Sequence, residues 1–281
     1  MGYLRIVIIV CLLSVTGCGL LSEELAAPSQ LPPLRPAANK AMLDIALVRV
    51  PVDHAGVVSV WQDLDEQHIP VDLRQRLAEN GLRCGIVGRQ LPPSLEQLVD
   101  ASNQQATAQT GLAQGVTIQR FTFSPGASRQ LAATSILDEL IVLHTRDRAV
   151  SGNTYAQAQC MFDVRCDQSP GDRVRLFIVP EIHYGQPRRH VGGSQGALQF
   201  VVKKDKVAFD DLSIESELAM GQTMVLGATE LPKGLGTNFF IEDEAGQRQT
   251  KLLLIRLVQA PVEALFPDEE QAPAPLADDW L

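Results

Sequence analysis

Leu43, Ile45 and Leu47 alternate with Asp44 and Ala46, the period of a strand with one buried face. Val57, Val60, Trp61 and Leu64 then recur at helical spacing, which predicts an amphipathic helix carrying Trp61 into the core. Asp72 followed by Gln75 is a capping-box pattern that opens a second short helix, and Asn80-Gly81 supplies its left-handed stop. The pattern returns to a strand over 82–87, and Ser94 with Gln97 repeats the cap ahead of Leu95 and Leu98. Residues 41–103 therefore read as a small α/β unit. The Gln-, Ala- and Thr-rich stretch 104–114 has no apolar stripe and reads as a boundary.

Beyond it the period changes. Residues 115–260 hold short apolar runs, rich in β-branched and aromatic residues and bounded by turn signals, which is how an all-β domain reads. Candidate strands fall at 116–123, 140–144, 155–164, 174–182, 198–202, 214–218, 223–226, 238–241 and 252–258, with Ser169-Pro170-Gly171-Asp172 as a hairpin turn. Residues 137–143 fit a helix or a strand equally by period. The expected fold class is α+β, a small α/β unit followed by a mainly antiparallel β-sandwich-like domain. Residues 261–281 are acidic, proline-containing and aperiodic, and read as a disordered tail.

The N-terminus has a different logic. Arg5 supplies a short positive region, an apolar stretch runs from Ile6 to Val15, and small residues lead into Cys18, the three-part layout of a secretory signal. The apolar core is shorter than the ~20 residues that span a bilayer. The run Leu13-Ser14-Val15-Thr16-Gly17-Cys18 resembles the lipobox of bacterial lipoproteins. That resemblance implies cleavage after residue 17, lipid attachment at Cys18 and a membrane as partner. Gly19, in place of an aspartate, further implies sorting to the outer membrane, facing the periplasm. Residues 18–40, with Pro28, Pro32, Pro33 and Pro36, read as an extended tether.

A net charge of -9 argues against nucleic acid as a partner, because phosphate binding needs a basic footprint. Cys84, Cys160 and Cys166 remain once Cys11 and Cys18 are set aside. Three is odd, so at least one thiol stays free unless it pairs between chains. On one straight strand Cys160 and Cys166 would stand about 20 Å apart, too far for a disulfide without a turn. No cysteine or histidine cluster has zinc spacing, and no cofactor pattern is present.

The order of 155–164, then Arg173 to Glu181, then Gly221-Gln222-Thr223, then Leu231-Pro232-Lys233-Gly234-Leu235-Gly236 leading to Phe239-Phe240, and a closing run 251–258, is similar to the β-domain of bacterial secretins. The resemblance covers roughly 154–258 and implies a β-sandwich-like fold and an envelope location. Residues 180–221 are shorter and more charged than a pore wall, with Arg188, Arg189, Lys203, Lys204 and Lys206, so pore formation is not carried over.

Several patterns bear on chemistry. Gly192-Gly193-Ser194-Gln195-Gly196 fits the GxSxG of a serine-hydrolase elbow. Such an elbow opens a helix, and a strand pattern follows here, so a glycine loop between strands fits better. Glu181 and His183 share a face at a strand end, near Tyr184 and His190, and outline an acid/base pair without a third ligand for a metal. The stretch from His183 through Arg188, Arg189 and His190 reads as a loop able to grip an anionic ligand. Solvated loop side chains explain both patterns more simply. Lys203, Lys204 and Lys206 around Asp205 read as an exposed hairpin with edge protection. The expected function is therefore non-enzymatic: a lipid-anchored envelope protein of structural or interaction type, self-associating or joined to an envelope or secretion complex. The alternative is a ligand-binding module using residues 183–190, with a hydrolase at Ser194 third.

Overall fold

The computed structural model describes residues 40–110, 116, 118–194, 197–244 and 246–261, all within one compact unit. The stretches expected to be a signal, a lipid-bearing Cys18, a tether and an acidic tail fall on residues 1–39 and 262–281, outside the described residues.

Among the described residues the fold is α+β, with four α-helices and two antiparallel sheets. In chain order the elements are β1 (Ala41–Pro51), α1 (Gly56–Asp63), α2 (Val71–Glu79), β2 (Leu82–Val87), α3 (Pro93–Thr110), β3 (Ile118–Phe123), β4 (Ser128–Ala132), β5 (Leu137–Arg146) and β6 (Ala149–Ser169). Then come β7 (Arg173–Ser194), β8 (Ala197–Ala208), β9 (Ile214–Ala219), β10 (Thr223–Ala228), α4 (Gly234–Phe240), β11 (Ile241–Glu244) and β12 (Gln247–Gln259). One sheet runs β2-β10-β12-β1-β3, with β11 also on β12. The other runs β4-β6-β7-β8, with β5 on β6 and β9 on β7.

Strand pairing does not follow the division expected at 104–114. β1 lies between β12 and β3, and β2 pairs with β10, so strands from both sides of that stretch share one sheet. The reason is in the alternation itself. Leu43 and Ile45 face a core shared with β6, β7 and β12, while Ala46, Val48 and Val50 face a second core against α1 and α3. A strand apolar on both faces cannot be an outer element of a small unit, because it needs cover on each side. Residues 104–110 belong to α3 rather than to a linker.

The two cores give three layers: α1 and α3, the first sheet, then the second sheet. Phe162 of β6 meets Phe239 and Phe240 at ring distances of 4.8 and 5.8 Å, and all three are fully buried. That contact explains why 238–241, read as a strand, is mostly the short helix α4. Packing both phenylalanines inward from one turn outweighs the weak β preference of a four-residue run. Helix caps also differ from expectation. Asp72 makes no cap; it pairs with Arg76 at 3.3 Å. Ser94 instead bonds Asp63 at 2.5 Å.

Asn80-Gly81 does stop α2, with Gly81 at φ +76°. It also does more. Asn80 is buried with its amide satisfied: Nδ2 donates to the Arg76 and Thr145 carbonyls at 2.9 Å each, and Oδ1 accepts the Thr145 amide at 2.8 Å. Its own carbonyl accepts Gly236 N–H at 2.9 Å. A Cβ on Gly236 would lie 1.8 Å from the Gly81 oxygen, so glycine is required where α4 meets the end of α2. Residues 137–143 form strand β5, and β4 is a strand the apolar pattern does not mark.

Candidate functional site

β6 and β7 run side by side only over part of their length. Their ladder extends from Ser169↔Arg173, across the expected turn at 169–172, to Gln159↔His183. At the next level stand Gln157 and Gly185, with φ +49° and +73°. Two left-handed residues facing each other bend both strands, and a non-glycine residue holds this conformation at a cost. Beyond them the strands part. The outer half of β6 pairs only with β5, and the outer half of β7 only with β8. The second sheet therefore forks into two hairpins, 137–158 and 184–208.

Residues 183–190 are thus part of strand β7, not a loop. Pro187 is tolerated because it falls in the register shift between Tyr184 and Arg188, where the ladder is interrupted. Tyr155 and Tyr184 meet in the fork with ring centroids 4.8 Å apart and planes tilted by 48°, Lys204 Nζ donates to the Gln157 carbonyl at 2.8 Å, and Gln186 bonds Gln157. Burial holds the Tyr155 hydroxyl above its ordinary pKa, with Tyr184 adding to the effect.

Two polar clusters flank the fork. In one, the buried Glu181 accepts from Lys206 Nζ at 2.6 Å and bonds His183 Nε2 at 2.7 Å. Glu181 and His183 share a face, as their spacing indicates; Lys206 joins them because it stands opposite His183 in the β7–β8 register. A carboxylate buried between two partners is satisfied rather than reactive. In the other, His144 Nε2 bonds Asp211 Oδ2 at 3.0 Å, with the Phe209 ring edge-on at 5.0 Å. Ser151, Asn153 and Tyr155 join them around a cleft of about 490 Å³. Sequence reading missed this pair, because the 67 residues separating it are closed only by the path of the chain from β5 to β8.

The other sequence candidates are dispersed. Arg188 and Arg189 are exposed on the second hairpin, and Arg188 reaches Asp205 at 3.8 Å. The His190 side chain lies outside what the structure describes. Ser194 ends β7 and pairs with Ala197, the first residue of β8, so the next described element is a strand and not a helix; the Ser194 side chain, Gln195 and Gly196 lie outside the described residues. Among the described residues no group of three His, Cys, Asp or Glu side chains could hold a metal ion. Cys84, Cys160 and Cys166 are free and buried. Burial pushes the Cys160 and Cys166 thiols up to about 12, and that of Cys84 strongly in the same direction. They are packing groups, not nucleophiles.

No protein-family model matches the chain, and no curated protein matches it. Among solved structures, the chain is similar to the InvG secretin domain β-barrel from the Salmonella SPI-1 injectisome NC-base, with 11% sequence identity and a TM-score of 0.20. The match covers 82% of this chain and 63% of that one, so this chain spans less than two thirds of that protein's length. A TM-score of 0.20 carries no argument about fold or activity.

Proposed function

We propose that the chain is a lipid-anchored envelope protein, held through acyl groups on Cys18, that works by association, with itself or with components of an envelope or secretion complex. The fork carries this reading. Each hairpin has an outer edge with no strand partner among the described residues: 149–156 of β6, 186–194 of β7 and 197–205 of β8. Unpaired edges template pairing with another chain unless they are blunted. The hairpins also carry exposed apolar residues: Ile141 (63%) and Val150 (67%) on one, Val202 (63%) on the other. The first hairpin, whose edge 149–156 has no charged residue and no proline, fits a contact element best, whereas Pro187, Arg188, Arg189, Lys203 and Lys204 blunt the edges of the second. Among the described residues no helix is long and apolar enough to cross a membrane, so the proposed tie to the membrane rests on the lipobox.

In-membrane crosslinking tests it, with a photoreactive residue at 143 or 202 and a control at Ser59 on the exposed face of α1. Products at multiples of the chain mass, or joined to other envelope proteins, from the hairpin positions alone support the reading. Uncrosslinked monomer from all three positions, at densities where a known complex is captured, contradicts it.

One observation favours a second reading. Arg188 and Lys203 stand directly opposite in the β7–β8 ladder, where like charges destabilise a pair by a few tenths of a kcal/mol or more. A hairpin that keeps this pairing, with Arg189 alongside, fits a contact with an anionic envelope ligand. Charge reversal at Arg188 and Arg189 separates the two readings: it abolishes ligand retention in the second and leaves association intact in the first.

A further inference from the structure

The two packed sheets leave space between them at one end. There β1, β3 and β12 turn Ile45, Leu47, Phe121 and Leu253 inward, β4 and β6 offer Leu131 and Phe162, and a cleft of about 390 Å³ lies between. That volume is within the ~300–1,000 Å³ of small-molecule sites. Leu253, Leu131 and Phe162 are buried, yet Leu47 and Phe121 on the same inner faces are only partly so. Protein interiors pack to crystal-like density, and side chains beside unfilled space lose dispersion contacts. The walls are mixed, with Gln119 and Gln130 beside these apolar side chains; water is well placed near the amides, and only the stretch between Leu47, Phe121 and Phe162 offers it few partners.

The cleft is not neutral. Arg49 lines it, and Lys251 stands opposite Arg49 in the β1–β12 ladder. Lys251 is fully buried and donates from Nζ to the carbonyl of Ala133, a residue of the cleft wall, at 2.7 Å. One carboxylate serves both cations: Glu242 Oε2 is 3.3 Å from Lys251 Nζ and 3.9 Å from Arg49 Nε. Glu242 is closer to the ammonium, so the guanidinium is held loosely and keeps its fork of donors for another anion.

We propose that this cleft binds a single-chain fatty carboxylate, its acyl chain between Leu47, Phe121 and Phe162 and its head group on Arg49. The apolar side chains of the cleft take the chain, Gln119 and Gln130 stand at its polar part, and the second cation selects an anionic head over a neutral one.

The test uses the full chain stripped of bound lipid and titrated with cis-parinaric acid, whose fluorescence rises in apolar sites. Saturable binding is expected, displaced by dodecanoate at least tenfold better than by dodecanol. Arg49→Gln should weaken dodecanoate at least tenfold and leave dodecanol unchanged. Leu47→Trp, which fills the cleft, should abolish both. Absence of saturable binding overturns the proposal, as does binding unchanged in a folded Leu47→Trp variant. Equal affinity for acid and alcohol, unaffected by Arg49→Gln, overturns the head-group assignment. If Leu47→Trp does not fold, the half-exposed Arg49 still decides the outcome.

Discussion

β12 and the outer half of β7 are both long strands, and they are built to opposite ends. β12 is buried on both faces from residue 249 to 255 and reads Gln-Thr-Lys-Leu-Leu-Leu-Ile with no polar alternation. The outer half of β7, from Gln186 to Arg189, is exposed, carries Pro187 and two arginines, and has one strand partner. A strand fixed by core on both sides contributes stability and no surface. One that leaves the core contributes surface and little stability. The protein thus separates the sandwich that folds from the hairpins to which the proposed function assigns contact.

Substitutions should divide along the same line. The largest effect is expected in the sandwich: Phe239→Ala, which empties the centre of the Phe162, Phe239 and Phe240 cluster, should cost about 3–5 kcal/mol in denaturant unfolding. Gly236→Ala places a Cβ on the Gly81 carbonyl and should cost about 1–3 kcal/mol, as overpacking does. Glu181→Gln removes the buried charge shared by His183 and Lys206 at the base of the fork. It should cost about 1–3 kcal/mol and speed amide exchange in 184–194 more than in β12.

The thiols give the sandwich a pH signature. Cys160 and Cys166 rise from 9.0 to about 12 on folding, so above pH 9 the unfolded chain loses protons that the folded chain keeps. Their contribution is complete below pH 9 and falls as pH rises toward 12. Replacing both with alanine should flatten the alkaline loss in a series of unfolding curves between pH 8 and 11. The smallest effect on stability belongs to the hairpins. Ile141→Asp and Val150→Asp, at exposed positions, should stay within about 0.5 kcal/mol of the parent while removing association.

What the sequence discloses follows the same division. Leu43, Ile45 and Leu47 mark β1 by the alternation of a buried face, and the 252–258 run marks β12 by its nearly continuous apolar character. The same period hides the sheet order: β1 is apolar on both faces, and nothing local says that its neighbours are β12 and β3. The outer parts of β6 and β7, beyond Gln157 and Gly185, are illegible for the opposite reason, although 140–144 of β5 and 198–202 of β8 beside them do read as strands. Once a strand leaves the core, its residues obey no burial period, and 183–190 reads as a loop. Glu181 and His183 are visible as a pair from their spacing of two, whereas Lys206 enters through register alone. His144 and Asp211 meet through the chain path and have no local signature.

The separation of folding from contact is tested most directly by the mass of the detergent-extracted full chain, measured by light scattering for the parent and for an Ile141→Asp/Val150→Asp variant and paired with their unfolding midpoints. The expected result is a parent that runs as a multimer or complex and a variant of equal midpoint that runs as a single chain. A variant that keeps the parent's mass, or a parent that is a single chain at every concentration, would contradict it.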